Sequence, residues 1–392
     1  MTAAATRVAI LGATGSIGTQ ALAVIRDLRR AGRAVEVAAL AAGRNVDGVA
    51  AVAREFAVPR VAVAAPREAD LVRKLLPRET EVVHGADGLA YLASHPDVDL
   101  VLNAVVGAVG LAPTLAALEA GKTVALANKE SLVIGGELVL GARRRPDQIL
   151  PVDSEHAALF QLLTGVDGRH VDRAWITASG GPFRDRSAAE LCRVTPAEAL
   201  AHPVWSMGRR ISVDSATLAN KAFEVIEAHH LFALSWSKIG VLIHPQACVH
   251  ALVELVDGTV LAQVAYPDMR IPIQAALTHP DRLPRPAPRL PLAGMNLVLE
   301  ELAPQRYPAF RAVVEAGERG GTAPAVANAA DEVLVEAFLS GKIAFTDIAE
   351  GIAAVVAAHA PNPAVDVQTV LSADNWARVR AEEFVARRGR SV

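Results

Sequence analysis

The short apolar run Arg7-Val8-Ala9-Ile10-Leu11 ends in Gly12-Ala13-Thr14-Gly15-Ser16-Ile17-Gly18, and an amphipathic stretch follows over 19–30. Strand, glycine turn and helix in that order restrict the chain more than any other feature. Glycines let a backbone turn tightly and approach a pyrophosphate, which then rests on the helix N-terminus. The spacing is GxxGxxG in place of GxGxxG, and the flanking elements give it weight. It predicts a dinucleotide cradle built from Gly12, Thr14, Gly15, Ser16, Ile17 and Gly18, the alternative being a tight turn without a ligand.

The next strand, predicted over 35–40, runs into Ala41-Ala42-Gly43-Arg44-Asn45. A site for NAD would place an acid here to hold the ribose 2′-hydroxyl; a site for NADPH would place a cation. Gly43, Arg44 and Asn45 therefore favour NADPH, unless Arg44 is simply solvated. Further strands are expected over 60–64, 99–105, 123–127 and 148–152, with helices over 47–56, 69–76 and 113–120. Such alternation gives a doubly wound parallel sheet whose ligands lie beyond the carboxyl ends of the strands. Asn103, Gly107, Asn128-Lys129-Glu130-Ser131 and Asp153-Ser154-Glu155 all fall at such ends. The uncharged stretch 100–118 imitates a membrane span, but Gly107, Gly110 and Pro113 interrupt it, so a buried strand, turn and helix is the reading adopted.

In Pro151-Val152-Asp153-Ser154-Glu155-His156, Asp153 and Glu155 are two apart. If the strand continues this far, both carboxylates project from one face. Adjacent like charges call for a cation or a shared proton, and an all-oxygen donor set suits Mg²⁺ or Mn²⁺, with Co²⁺ a third option. The competing reading is a polar strand end at which Ser154 caps a following helix.

At 392 residues the chain is too long for one core. Boundaries are expected at 1–153 for a Rossmann-like domain, 154–279 for an α+β substrate and metal domain, 280–305 for a proline-rich linker and 306–392 for a helical domain. The net charge of −3 offers no basic face for nucleic acid or an acidic membrane. Two distant cysteines, Cys192 and Cys248, form no disulfide or zinc framework and fit a reducing cytoplasm. The first seven residues lack the pattern of a signal peptide.

Beyond 154, a strand over 174–178 enters the turn Ser179-Gly180-Gly181. A polar stretch containing His202-Pro203-Val204-Trp205-Ser206-Met207-Gly208 then reads as a lid over a ligand, or as a surface loop pinned by Trp205. Ser215 is a candidate N-cap for a helix reaching His229, with Ala219, Phe223, Ile226 and His230 on its buried stripe. Asn220, Lys221 and Glu224 share another face, either as a surface cluster or as ligands for phosphate and metal. Strands over 241–244 and 259–266 are expected to build an antiparallel second sheet, with His250 between them. Helices are expected over 307–317, 324–339, 348–358 and 374–388.

The stretches GATGSIG (12–18), ALANKES (125–131), PVDSEH (151–156), ASGGPFR (178–184), HPVWSMGRRISVDSATLANK (202–221), HPQACVH (244–250) and NAADEVLVEAFLSGKI (328–343) appear in that order. Together they resemble the 1-deoxy-D-xylulose 5-phosphate reductoisomerases. The resemblance implies an NADPH- and Mg²⁺- or Mn²⁺-dependent enzyme that acts on a small phosphorylated sugar and forms a homodimer. It implies metal ligation by Asp153, Glu155 and Glu224, and a phosphate grip by Ser179, Ser215, Asn220 and Lys221, with His202 joining them or the metal region. Lys129 and Ser154 would contact substrate oxygens, Trp205 and Met207 would cover the substrate, and His250 would lie near the reacting carbons. Asn128, Glu130 and Gly208 join the cofactor-side candidates. Ala13, Val204, Ala222-Phe223 and Ala247-Cys248 depart from the family pattern without removing a metal or phosphate ligand. A semialdehyde dehydrogenase would need an activated cysteine. A homoserine dehydrogenase would not require the paired acids beside a SxxxxNK grip. A module that only binds NADPH would have no use for three acids together.

Overall fold

The computed structural model describes residues 5–205, 207–284 and 286–389, so Ser206 of the expected lid lies outside them. The chain divides into two compact units. The first comprises Met1–Ser131, Leu138–Ala157 and Asp268–Arg289; the second comprises Leu132–Glu137, Ala158–Pro267 and Leu290–Val392.

The first unit holds seven strands, β1 (Thr6–Leu11), β2 (Val35–Ala41), β3 (Arg60–Val63), β4 (Glu81–His84), β5 (Leu100–Asn103), β6 (Thr123–Leu126) and β7 (Ile149–Pro151). Their order is β4-β3-β2-β1-β5-β6-β7, and every pairing is parallel. Val8, Ala9, Ile10 and Leu11 are wholly buried at the centre, as a strand covered on both faces requires. Strand order reverses between β1 and β5, which makes the space beyond their carboxyl ends the switch-point crevice of a doubly wound sheet. The apolar stretch after β5 is a 3₁₀ turn and the helix Leu111–Glu119. No helix among the described residues is long and apolar enough to cross a membrane.

In the second unit β8 (Val171–Ala178), β9 (Ile239–Ile243), β10 (Val249–Leu255), β11 (Val260–Val264) and β12 (Glu300–Glu301) form a sheet of order β11-β10-β8-β9-β12. It is mixed, not antiparallel as expected, because β8 and β9 run parallel. The C-terminal part of this unit is helical, with Pro308–Arg319, Ala323–Leu339, Phe345–Ala357 and Val367–Arg388.

The helix Arg270–Thr278, placed by sequence with the substrate domain, belongs to the first unit together with residues up to Arg289. Its Gln274 side chain donates to the Pro284 carbonyl at 3.0 Å. The proline-rich segment is thus anchored at its start, and β12 pairs with β9 near its end.

Candidate functional site

In the first unit the glycine loop sits at the switch point. Gly12 has φ +90°, and a Cβ there would lie 2.4 Å from the Ala104 carbonyl oxygen after β5. A Cβ on Gly18 would lie 2.3 Å from the Gly12 oxygen. Close packing therefore excludes a side chain at both positions, as the cradle reading requires. Gly15 donates to the Gly12 carbonyl at 3.0 Å and precedes the helix Ser16–Arg30. Gly15 and Ser16 are exposed, while Thr14 and Ile17 are partly so. The helix N-terminus consequently faces outward, ready for an anion.

Gly12 and Ala13 both donate to the Ala41 carbonyl at the end of β2, which brings the Gly43-Arg44-Asn45 turn alongside. Arg44 is exposed. Asn45 serves the fold, since its Oδ1 accepts from Gly48 N at 3.0 Å and caps the helix Val46–Phe56.

Beyond β5 and β6 lies a buried polar network. Asn128 donates to the Val105 carbonyl at 2.9 Å, the Gly107 carbonyl at 3.1 Å and Glu130 Oε2 at 2.9 Å. Glu130 Oε1 accepts from Gly107 N at 3.0 Å. Asn103 donates to the Gly110 carbonyl and to Thr114 Oγ1. Asn128 is 1% exposed, and its amide holds the loop after β5. Lys129, by contrast, forms an ion pair with Asp153, each side chain 14% exposed.

The strand does not continue to Asp153 and Glu155; a helix follows it, as the competing reading had it. β7 stops at Pro151, and Ser154–Leu163 is helical. The Asp153 carbonyl accepts from Ala157 N at 2.8 Å, which makes Asp153 the residue that leads into the helix. Ser154 is inside it, not its cap, and donates to Glu155 Oε2 at 2.6 Å. The carboxylates therefore do not share a strand face; they sit at a helix N-terminus, whose positive end favours them.

The second unit gathers the phosphate candidates. His202 Nδ1 accepts backbone N–H bonds from Val204 at 3.2 Å and Trp205 at 2.9 Å. Its proton must then sit on Nε2, which donates to Ser179 Oγ at 3.0 Å. Burial lowers the His202 pKa, in keeping with that neutral ring. Ser179 Oγ also accepts from Gly181 N at 3.2 Å, which leaves its O–H proton for an outside acceptor. Gly181, at φ +70°, packs so closely that a Cβ would lie 2.5 Å from the Ser215 carbonyl oxygen. The turn 179–181, His202 and Ser215 thus form one edge.

Ser215 is not an N-cap. It lies in the last turn of the helix Arg209–Thr217, which ends at Leu218 in the left-handed conformation, φ 59°. A second helix, Ala219–Phe232, starts immediately. Lys221 and Glu224 are 4% and 2% exposed, so the surface-cluster alternative fails. Lys221 is ion-paired to Glu224, and Asn220 donates to Glu224 Oε1 at 2.6 Å. An all-oxygen donor whose charge is already offset by an ammonium suits exchange of that partner for a hard cation.

The stretch ahead of the expected lid is more ordered than its polar composition suggested. Short helices Ala188–Leu191 and Pro196–Leu200 carry capping boxes at Ser187 and Thr195. Trp205 and Met207 are partly exposed and Gly208 is exposed. His250 lies on β10, 6% exposed, on a strand that the sequence reading missed. Cys248 does have a histidine neighbour. His244 Nδ1 donates to the Val298 carbonyl at 2.6 Å, leaving Nε2 to accept the thiol at 3.3 Å. Both side chains are buried, and burial pushes the Cys248 thiol up. That is a buried, packed thiol, not an activated nucleophile.

Sequence reasoning also missed Arg210. Its guanidinium meets Glu332 at 2.7 Å, Asn328 at 2.9 Å, Asp331 at 3.1 Å and Asp214 at 3.4 Å. Asp214 is one helical turn away, but the other three partners lie more than a hundred positions off and leave no local signal.

Models of the 1-deoxy-D-xylulose 5-phosphate reductoisomerase match residues 8–136, those of its C-terminal domain match 149–232, and those of a further C-terminal domain of the DXP reductoisomerase match 264–380. A 1-deoxy-D-xylulose 5-phosphate reductoisomerase of Desulfitobacterium hafniense is 48% identical over 381 residues, 97% of this chain and 99% of that relative. One from Geobacillus kaustophilus is 48% identical over 384 residues, 95% of this chain and 98% of that relative. Among solved structures, the reductoisomerase of Zymomonas mobilis in complex with NADPH has a TM-score of 0.89 at 41% identity, covering 97% of this chain and 99% of that one. A DOX-P reductoisomerase in complex with NADPH, fosmidomycin and magnesium has a TM-score of 0.91 at 37% identity, covering 97% and 98%. With family models matching most of its length and relatives of this identity along nearly all of it, the chain belongs to the 1-deoxy-D-xylulose 5-phosphate reductoisomerase family.

Proposed function

We propose that this chain rearranges 1-deoxy-D-xylulose 5-phosphate and reduces the resulting aldehyde with NADPH, giving 2-C-methyl-D-erythritol 4-phosphate. The observation that carries the reading is the buried Lys221–Glu224 pair with Asn220, near the start of a helix that follows directly on a left-handed break. Packing alone gives no reason to bury an ammonium and a carboxylate there.

Residues Gly12 to Gly18 hold the NADPH pyrophosphate and Arg44 its 2′-phosphate, while Asn128 and Glu130 fix the loop beyond β5. Asp153, Glu155 and Glu224 supply carboxylates to Mg²⁺ or Mn²⁺, with Lys129 and Ser154 at substrate oxygens. When bound, the cation supplies Lewis-acid stabilisation of negative charge developing on oxygen. Ser179, His202, Ser215, Asn220 and Lys221 bind the phosphate, which orients the sugar for hydride transfer. Trp205 and Met207 exclude water, and His250 flanks the reacting carbons. The overall step takes one hydride from NADPH and one proton from solvent. Of the two routes, fragmentation and recombination is proposed over direct migration.

The exposed outer strand β11 carries Val260 and Val264, with Val256 and Tyr266 beside it. An unpaired apolar sheet edge of this kind supports pairing with a second copy. A reducing cytoplasm is the proposed compartment.

The test is NADPH oxidation followed with 1-deoxy-D-xylulose 5-phosphate after chelation and after Mn²⁺ is restored. Oxidation that needs both the sugar phosphate and the metal supports the reading; oxidation indifferent to either overturns it. Inhibition by fosmidomycin, competitive with the sugar phosphate, is also expected.

A further inference from the structure

We infer that Arg210 is a positioning residue for the phosphate subsite: it sets the rotation of the helix Arg209–Thr217, and so the place of Ser215, against the C-terminal helices. The inference rests on the phosphate reading of Ser215 given above.

Arg210 lies in the first turn of that helix, directly after the lid. Its guanidinium bonds to three residues of the helix Ala323–Leu339, with Glu332 Oε1 at 2.7 Å, Asn328 Oδ1 at 2.9 Å and Asp331 Oδ2 at 3.1 Å. Within its own helix it approaches Asp214 Oδ2 at 3.4 Å. Glu332 is held in turn by Arg378 of the helix Val367–Arg388, which also pairs with Asp374 at 2.7 Å. Asp331 is wholly buried and Asp214 nearly so. Three helices are therefore keyed together by charges that an apolar contact would not need.

A planar fork with donors on several sides cannot slide or rotate without breaking bonds, whereas apolar side chains tolerate both. Ser215 is five residues on, roughly 140° round the helix at 3.6 residues per turn. Any rotation of the helix therefore displaces its hydroxyl. Gly181 closes against the Ser215 carbonyl, so the same rotation would disturb the turn that carries Ser179. Two cations, Arg210 and Arg378, face four carboxylates, Asp214, Asp331, Glu332 and Asp374. Burial pushes the Asp331 carboxyl up to about 6, against the lowering effect of Arg210.

The experiment compares Arg210→Met, Arg210→Lys and Ser215→Ala in the metal-loaded enzyme. Arg210→Met should raise KM for the sugar phosphate about tenfold and leave KM for NADPH within about twofold. Arg210→Lys, which keeps the charge but loses the fork, should fall between. Should Arg210→Met fail to fold, the same split of KM values in Arg210→Lys decides the matter. A raised substrate KM in Ser215→Ala with unchanged values in the Arg210 variants overturns the positioning role and spares the phosphate reading. An unchanged substrate KM in Ser215→Ala overturns both. Equal loss for both substrates in the Arg210 variants reduces Arg210 to general stability and overturns the inference.

Discussion

His202 gives its Nε2 proton to Ser179 Oγ at 3.0 Å while its Nδ1 receives two backbone N–H groups of the lid. One imidazole thus ties the segment proposed as a lid to the serine turn, and only its neutral form can do so, because protonation would remove the acceptor at Nδ1.

The first prediction is acid loosening of the lid. Burial lowers the His202 pKa in the folded state, so the folded form binds fewer protons there than the unfolded form. Stability from this contact is present above the unfolded value of about 6.5 and is lost as pH falls through the lower folded value. Limited proteolysis between residues 187 and 208 should be faster at pH 5 than at pH 7.5. His202→Gln should flatten that dependence. Equal cleavage at both pH values in the parent protein would refute it.

A second prediction concerns the opposite sign. Asp331 is pushed up to about 6 by burial, so the folded state retains a proton that the unfolded state has released. Stability should therefore fall as pH rises from about 4 to about 6. Asp331→Asn, which keeps an acceptor for Arg210, should remove the slope. Denaturant midpoints measured across that window would check it, and an unchanged slope in the variant would place the proton elsewhere.

Cofactor choice is the third. Arg44 is exposed beside the glycine loop. A charge-assisted bond of about 1.5–3 kcal/mol corresponds to roughly a tenfold to hundredfold effect. Arg44→Asp should raise KM for NADPH on that scale and improve relative use of NADH. An unchanged preference would leave Arg44 as a solvated side chain.

Metal dependence provides the fourth. Glu224→Gln and Asp153→Asn preserve shape but each removes a charge. Activity should fall by orders of magnitude while fluorescence titration with NADPH changes little, because the glycine loop is untouched. Glu224→Gln should also lower the thermal midpoint, since it leaves the buried Lys221 ammonium without its carboxylate. Near-normal activity at limiting Mn²⁺ in either variant would remove that residue from the ligand set.

Much of the first unit was legible because its strands are apolar, buried on both faces and separated by glycine turns. β4 escaped notice because Glu81-Val82-Val83-His84 is a four-residue edge strand with polar ends. The run Asp153-Ser154-Glu155 misled for a different reason. Two acids spaced by one residue fit a strand, but the same residues ahead of Ala157-Ala158-Leu159 also mark a helix start, and Pro151 had already ended the ladder. The break at Leu218 had no signal, since no glycine or proline punctuates it. Motif matching found the phosphate candidates but not their division between two helices. The Arg210 network depends on residues 118 to 122 positions away, and only folding reveals it.

The left-handed Leu218 joins two helices through a single residue, and this leaves the segment no slack in register. Each residue added or removed there would turn the downstream helix by about 100°. Asn220, Lys221 and Glu224 would be carried off their face together, whereas a conservative replacement disturbs only one of them. This stretch should therefore accept variation in residue type far more readily than variation in length, and an insertion of one residue should be more damaging than the loss of any one ligand.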